Sequence, residues 1–454
     1  MPGKAASLQG AREAALRALV RVEVDGAYLN LALPVLLKKL SLDERSLAVQ
    51  LAAGTIQRLN TLDWIVNLFS RRSSDTFTPW IRNLIRLSAY QIIYLDRIPD
   101  YAVVNEAVRL ARRFGHRGVA RLVNALLRRI SDQAAALPWP DRDKYPLEYL
   151  SLKHSQPQWL VARMVDRFGF AEAENWCLAN NLKPPVTIRP NLLQIKPEAL
   201  IDKLHKEGIE AAASSLVPGM LRISPGSSPA LTPSFREGLF TIQGESSALI
   251  APLLSAQPGQ TVVDLCSAPG GKTTHIAELM NDSGLVYAVE INQNRLQMVE
   301  KAARRLGLRS INPILADGRN IDRQNLPEPA AVLVDAPCSG LGVIRRLPEI
   351  KWRRAEEDLL KMHILQIELL SAAARLLPAG GKLLYSVCSN QPEETIQVAE
   401  AFSRAHPLFI PEPLGPLMPV PLQEGQDETG PVYFWPHRHG LDGFFIARWR
   451  KKGK

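Results

Sequence analysis

The sequence predicts a multidomain chain with three parts: an all-α amino-terminal domain over 1–140, a small α+β subdomain over 155–245, and an α/β core with a mostly parallel sheet over 246–454. Three observations predict it. The first ~140 residues hold little glycine, and their apolar residues recur at spacings of three and four, the mark of amphipathic helices. Pro138, Pro140, Pro146 and Pro157 then crowd within twenty residues, as in a linker. From about 245, short apolar runs alternate with amphipathic stretches, the pattern of a parallel sheet covered on both faces. A length of 454 residues fits this division, since domains run to roughly 100–200 residues each.

In the first part, Ala15, Leu16, Leu19, Val20 and Val22 give one helical stripe, and Leu51, Ile56, Leu59, Leu62 and Ile65 continue the pattern. Between 109 and 129 stand Arg109, Arg112, Arg113, Arg117, Arg121, Arg128 and Arg129, with no acid among them. Val108, Leu110, Val119, Leu122, Val123, Leu126 and Leu127 lie between. Acids normally balance a solvated face, so we expect these arginines to face phosphates. The whole chain carries 55 Lys+Arg against 45 Asp+Glu, a formal net charge of +10. That excess favours a polyanionic partner, although a basic enzyme without one has the same balance.

In the second part, Pro184-Pro185-Val186-Thr187-Ile188-Arg189 reads as a strand entry and Leu221-Arg222-Ile223 as another strand. A helix is expected over 197–207, with Pro197 at its start, where a missing N–H costs nothing. Four cysteines, Cys177, Cys266, Cys338 and Cys388, cannot staple so long a chain, and none has the C-x-x-C spacing of a zinc site. No run of about 18 apolar residues suggests a membrane span. Met1-Pro2-Gly3-Lys4-Ala5-Ala6 is not followed by the apolar stretch of a signal peptide. A cytoplasmic protein with reduced thiols is expected.

In the third part, apolar runs at 261–265, 285–289, 311–315, 331–334 and 382–387 are expected strands. Helices are expected near 271–280, 292–306, 355–377 and 392–404. Such sheets bind ligands at the carboxyl ends of their strands, so the residues just after each run carry the function. The first run leads into Asp264-Leu265-Cys266-Ser267-Ala268-Pro269-Gly270-Gly271-Lys272-Thr273-Thr274. A glycine turn from strand to helix aims backbone N–H groups at an anion. A phosphate-binding loop would need glycine where Cys266 stands, and a dinucleotide turn needs a glycine spacing that is absent. A nucleoside–methionine cofactor, whose carboxylate needs a tight turn, remains. The second run ends at Glu290, suited to a ribose diol, and the third is followed by Asp317, suited to an adenine amino group. Each acid could instead be a helix cap. Two of them on successive strand ends after the glycine turn favour the cofactor, and this order resembles an S-adenosylmethionine methyltransferase core.

The fourth run leads into Asp335-Ala336-Pro337-Cys338-Ser339-Gly340 and the fifth into Cys388-Ser389-Asn390. A buried cysteine is usually a small hydrophobe, but that use would place the thiols inside strands. Both follow strands, and a helix beginning at Pro392-Glu393-Glu394 would favour a thiolate at Cys388. Two thiols, a carboxylate and a methyl donor suit carbon 5 of cytosine. That carbon is too weak a nucleophile unaided. A thiolate adding at carbon 6 makes carbon 5 enamine-like, an acid near ring nitrogen 3 assists, and the thiol is later eliminated.

Asp335-Ala336-Pro337-Cys338-Ser339-Gly340 and Tyr385-Ser386-Val387-Cys388-Ser389 resemble motifs IV and VI of the RNA cytosine-5 methyltransferases. The resemblance implies that Cys388 attacks, Cys338 assists elimination and Asp335 binds and activates the base. It implies a cofactor site of Cys266, Ser267, Ala268, Pro269, Gly270, Gly271 and Lys272, completed by Glu290, Asp317 and Asp335. Val387 stands where threonine is common in that family, and Glu290 where aspartate is more usual. Gly342-Val343-Ile344-Arg345-Arg346-Leu347-Pro348-Glu349-Ile350-Lys351-Trp352 and Leu441-Asp442-Gly443-Phe444-Phe445 are similar to segments of the RsmB (Sun/Fmu) group. Val104-Asn105-Glu106-Ala107-Val108 and Val123-Asn124-Ala125-Leu126-Leu127-Arg128 resemble that group's NusB-like domain. The implied fold is a NusB-like helical domain, a small RNA-binding α+β subdomain and a Rossmann-like class I methyltransferase core. The implied reaction methylates one cytosine of 16S ribosomal RNA, conventionally cytosine 967.

Arg345, Arg346, Lys351, Arg353 and Arg354 would suit phosphate contacts beside a bound base, and Trp352 could stack on a flipped base or sit in a core. His437 and His439 lack neighbouring ligands, so no metal is expected. A monomer is expected. Two other functions share some of these features. A catalytically inert NusB-like RNA-binding protein predicts a broken catalytic set, which is not found, and a cytosine-5 methyltransferase acting on another RNA would differ mainly in the amino-terminal parts.

Overall fold

The structure, a computed structural model, describes residues 10–38, 40–321 and 326–453. The amino-terminal stretch 1–6 read above lies outside the described residues. Two compact units form. One comprises residues 1–183 together with 344–353, and the other residues 184–343 and 354–454.

The first unit is helical: α1 (Gly10–Val24), α2 (Leu29–Leu37), α3 (Leu42–Gln57), α4 (Leu59–Phe69), α5 (Pro79–Tyr94), α6 (Asp100–Phe114), α7 (Arg117–Gln133), α8 (Pro146–His154), α9 (Gln158–Phe168) and α10 (Phe170–Asn181). α3 starts at a capping box, with Ser41 Oγ accepting from Glu44 N and the Glu44 carboxylate accepting from Ser41 N. α6 buries Val103, Val104, Ala107, Leu110 and Ala111, and α7 buries Ala120, Val123, Leu126, Leu127 and Ile130. All of these but Val103 join Leu16, Leu19, Leu51, Leu62, Ile65 and Leu84 in one core. The stripes expected from periodicity are the faces that pack.

The proline-rich stretch does not end this unit. Pro146 occupies the first turn of α8 and Pro157 sits immediately before α9, where proline is tolerated. α8 lies on α4, with Thr61 Oγ1 donating to Leu152 O and Asn60 Nδ2 to Ser151 Oγ. Trp139, expected within the linker, stacks on Trp64 at 4.9 Å between ring centroids. Residues 155–183, placed by the sequence in the α+β part, are thus helical and pack with the first unit.

The second unit carries two sheets. The smaller is antiparallel, in the order β2 (Ala211–Ala213), β3 (Leu221–Ile223), β1 (Val186–Pro190), β4 (Phe240–Ile242). With α11 (Pro197–Lys206) it encloses Ile188, Leu200, Leu204, Leu221 and Phe240. The larger runs β10 (Phe409–Glu412), β12 (Phe444–Lys451), β9 (Lys382–Val387), β8 (Ala331–Asp335), β5 (Thr261–Asp264), β6 (Leu285–Glu290), β7 (Ile311–Leu315), with β11 (Val432–Phe434) paired to β12. β5 to β9 are parallel to one another, as expected, and β10 to β12 are antiparallel additions, joined to β9 through β12. β7 lies at the edge, which accommodates Pro313 within it. From β5 the chain builds outward to β6 and β7, then returns to β8 and β9 on the other side. The direction of winding therefore reverses between β5 and β8, where such sheets open a ligand crevice.

One expected helix differs. Over 392–404 the chain forms a three-residue turn, Pro392–Glu394, breaks at Thr395 and becomes α-helical only at Ile396–Ala405. The separate short turn lacks the aligned peptide run of an α-helix dipole, so the expected support for a thiolate at Cys388 is not supplied in that form.

Candidate active site

β5 delivers Asp264 fully buried to the reversal point. Its Oδ2 accepts from Thr273 Oγ1 at 2.7 Å, while Oδ1 is buried and without a partner among the described residues. Burial pushes the Asp264 carboxyl up to about 7, against the opposing Thr273 hydrogen bond. The chain then turns through Cys266, Ser267, Ala268, Pro269 and Gly270 into the helix Gly271–Leu279. Ser267 pins the turn to β6 through its N–H and Oγ, both donating to Val289 O. Gly270 adopts φ +104°, which favours glycine, and a Cβ there would press on Val299 at 3.1 Å. Thr274 N to Gly270 O is the first backbone bond of the helix, so the N–H groups of Gly271, Lys272 and Thr273 project from its end.

Glu290 is buried at the end of β6. Asn292, not Glu290, caps the following helix by accepting from Arg295 N, so capping does not account for the acid. Glu290 Oε1 accepts from Asn292 N at 3.0 Å, and Arg295 approaches Oε2 at 3.6 Å. Asp317 behaves differently. It caps the short turn Gly318–Asn320 and binds the Arg319 guanidinium with both oxygens. The hydrogen bonds from Arg319 hold its carboxyl below the usual range. The capping alternative left open by the sequence is thus the observed arrangement at Asp317.

Asp335 ends β8. Its Oδ2 accepts from Lys272 Nζ at 2.5 Å and its Oδ1 from Ser386 Oγ at 2.7 Å. Lys272 thereby ties the glycine turn to the β8 end. Burial opposes its charge, but the charge and hydrogen bond of Asp335, with smaller contributions from Cys388 and Asp264, prevail and raise its pKa. Cys266 lies among acids: burial first, then Asp264, Asp335 and Glu290, push its thiol well up.

Cys338 and Cys388 come together, with 3.2 Å between the two Sγ atoms. The hydrogen bond to Cys388 and then burial push the Cys338 thiol well above its ordinary value. Gly342 N donates to Cys388 O at 3.0 Å, and Gly443 N, just before β12, donates to Gly342 O at 2.8 Å. A Cβ on Gly342 would collide with the Gly443 carbonyl, and one on Gly443 with Asn390 Oδ1. The Leu441-Asp442-Gly443-Phe444 signature is therefore the piece that locks both cysteine loops against the sheet.

Several site residues escaped the sequence reading. Glu394 is buried against Ser339 and Ser389, the residues that follow the two cysteines. Arg354 donates to Ser339 O and, at 3.4 Å, to Cys338 O. Asp264, at the end of β5, has no feature of local sequence that marks it as more than a strand residue. The repeated Cys-Ser pair was the one visible hint of Glu394's role.

The basic run after Cys338 divides. Residues 344–353 pack with the helical unit. There Lys351, 2% exposed, donates to Gln57 O and Ser155 O. Trp352 Nε1 donates to Ile56 O, and Arg353 donates to Val22 O and Ala27 O. Lys351 and Arg353 thus bond backbone carbonyls of this unit, contrary to the expected phosphate contacts, and Trp352 takes the core alternative, packed against the helical core. Among the described residues no group of three or more His, Cys, Asp or Glu is placed to hold a metal ion. No helix is long and apolar enough to cross a membrane among the described residues.

The sheet order and the strand-end site place the second unit among the Rossmann-like methyltransferases. Residues 251–450 match the family described as 16S rRNA methyltransferase RsmB/F, residues 9–132 the NusB family, and residues 156–228 the RsmF/B-like ferredoxin-like domain. The chain is 37% identical to the probable ribosomal RNA small subunit methyltransferase B of Bacillus subtilis (strain 168), covering 97% of this chain and 99% of that one. It is 34% identical to the protein of the same description from Synechocystis sp., over 97% of this chain and 99% of that one. The crystal structure of PH0851 superposes with a TM-score of 0.83 at 30% identity, over 99% of this chain and all of that one. The chain belongs to the RsmB/F family of methyltransferases.

Proposed function

We propose that the protein transfers a methyl group from S-adenosylmethionine to carbon 5 of a cytosine in 16S ribosomal RNA, conventionally cytosine 967, through a covalent adduct with Cys388. The observation that carries this reading is the thiol pair, 3.2 Å apart at the ends of β8 and β9, beside an Asp335 oriented by Lys272 and Ser386. Cys388 stands at the motif VI position and Cys338 at the motif IV position, and that resemblance assigns attack to Cys388. Cys388 adds to carbon 6 while Asp335 holds the edge bearing ring nitrogen 3 and the amino group. Carbon 5 then takes the methyl group, its proton passes to water, and the electron pair of that carbon–hydrogen bond restores the ring double bond as the carbon–sulfur bond breaks and returns the Cys388 thiolate, with Cys338 assisting this release.

The residues present fit the cofactor. The projecting N–H groups of Gly271, Lys272 and Thr273 suit a carboxylate, and the unpartnered Asp264 Oδ1 suits an ammonium. Glu290 suits a ribose diol. Asp317 would serve the adenine only by exchanging its bonds to Arg319. When bound, S-adenosylmethionine supplies the electrophilic methyl group.

Bisulfite sequencing of ribosomal RNA from cells with and without this protein tests the reading. A 16S cytosine protected only in the presence of the protein is expected. Unchanged 16S cytosines overturn the target, and a change confined to another RNA reassigns it.

A further inference from the structure

The two cysteine loops are built alike. Each ends a parallel strand and carries a Cys-Ser pair, Cys338-Ser339 after β8 and Cys388-Ser389 after β9. The thiols meet at 3.2 Å and the hydroxyls at 3.3 Å. Glu394 closes this double pair from behind. Its Oε1 accepts from Ser339 N at 2.6 Å and from Gln366 Nε2 at 3.4 Å, and its Oε2 accepts from both Ser339 Oγ and Ser389 Oγ. Each serine oxygen in turn accepts from its own loop, Ser339 from Leu341 N and Ser389 from Gln391 N. The hydroxyl protons are thereby directed at the carboxylate. Tyr385 Oη donates to Glu394 O at 2.7 Å, fixing the backbone of Glu394 to β9.

From this geometry we infer that Glu394 is a positioning residue for the thiol pair: it tethers the Cys338 loop to the Cys388 loop. The inference rests on the two-thiol reading above and deepens it. Glu394 belongs to the Cys388 side of the chain, six residues on, and reaches across to the backbone and hydroxyl of Ser339. A carboxylate suits the site because every partner donates as arranged. An amide in its place turns an N–H₂ either toward Ser339 N, which cannot accept, or toward the two hydroxyls, which must give up their present orientation to accept it, so the tether on the Cys338 loop weakens. Attack by Cys388 survives this loss better than release, because release needs Cys338 in place.

The experiment compares the wild type with Cys338→Ala, Glu394→Gln and Ser339→Ala, all as full chains with substrate RNA and S-adenosylmethionine. Denaturing gels read the covalent protein–RNA species. Diamide, which withdraws two electrons and two protons from a thiol pair, reads the approach of the two sulfurs independently of RNA. Glu394→Gln is expected to accumulate adduct as Cys338→Ala does, at unchanged cofactor affinity. It should also form the 338–388 disulfide about tenfold more slowly than wild type, the effect of losing one charge-assisted hydrogen bond. Ser339→Ala should move both readouts the same way by less, and it decides the matter should Glu394→Gln not fold. Wild-type disulfide rates in the folded variants overturn the tether. An adduct missing from Cys338→Ala overturns the covalent reading instead, and the diamide rates still decide the role of Glu394.

Discussion

Two stretches of the chain look alike in sequence and end differently. One spans 109–129 and the other 345–354, and both are dense in basic residues and poor in acids. On α6 and α7, Arg112, Arg117, Arg121 and Arg128 remain exposed opposite the apolar stripe. Arg109, paired with Glu106, and Arg129 are exposed too, and one of the seven arginines is drawn inward: Arg113 pairs with the fully buried Glu13. In the second stretch Lys351, Trp352 and Arg353 spend their donors on backbone carbonyls of the helical unit. The difference teaches that local charge density does not decide whether a cation faces solvent. In the first stretch α6 and α7 are each long enough to keep apolar and basic residues on opposite faces. In the second, only the short turn Ile350–Arg353 is α-helical, and helix ends such as that of α3 present carbonyls that need donors.

The sharpest way to break the comparison is Lys351→Met. If Lys351 is structural, the variant leaves the carbonyls of Gln57 and Ser155 without this donor and loses about 2–4 kcal/mol of stability in denaturant titration. Burial holds the Lys351 pKa well below 10.5. A folded-state pKa below the unfolded value means that the unfolded chain binds the proton more readily. Wild-type stability should therefore climb as pH rises toward 10.5, and Lys351→Met should remove that part of the climb. Stability equal to wild type at all pH values would return Lys351 to the RNA-facing set.

The exposed stretch should respond in the opposite way. Reversing Arg112, Arg117 and Arg121 to Glu should cost less than about 1 kcal/mol of stability, as surface changes do. The logarithmic salt slope of RNA affinity should shrink by about 2 to 3, one released counterion for each lost phosphate contact. Arg113 is left alone because its reversal would set a second carboxylate against the buried Glu13, which Arg113 shares with Arg17. A wild-type salt slope would show that α6 and α7 do not meet RNA.

Arg354 makes the smallest and most specific case, since it follows the buried cations but belongs to the α/β unit. Arg354→Ala frees the carbonyls of Ser339 and Cys338 and should lower kcat about tenfold, the cost of one charge-assisted bond. RNA affinity and its salt slope should stay unchanged. A fall in affinity with constant kcat would mark it as a phosphate contact after all.

The parts of this protein written in local pattern were legible in the sequence: the helical stripes of α6 and α7, the five parallel strands, the glycine turn and the cysteines at two strand ends. Periodicity and chain reversals depend on neighbours a few residues apart, so one chain suffices to read them. Adjacency across long separations was not legible. Nothing near Asp335 announces Lys272, 63 positions earlier, and nothing near Ser339 announces Glu394, 55 positions later. The antiparallel strands β10 and β11 and the helices of 146–181 also needed their partners to be recognised. Asp317 shows the same limit at short range, since a cap and a ligand contact ask for the same side chain. Sequence determines which groups stand at the strand ends, because local geometry places them there. Only the packed sheet decides which of them touch, because a hydrogen bond between distant residues forms where the fold has already brought donor and acceptor within about 3 Å.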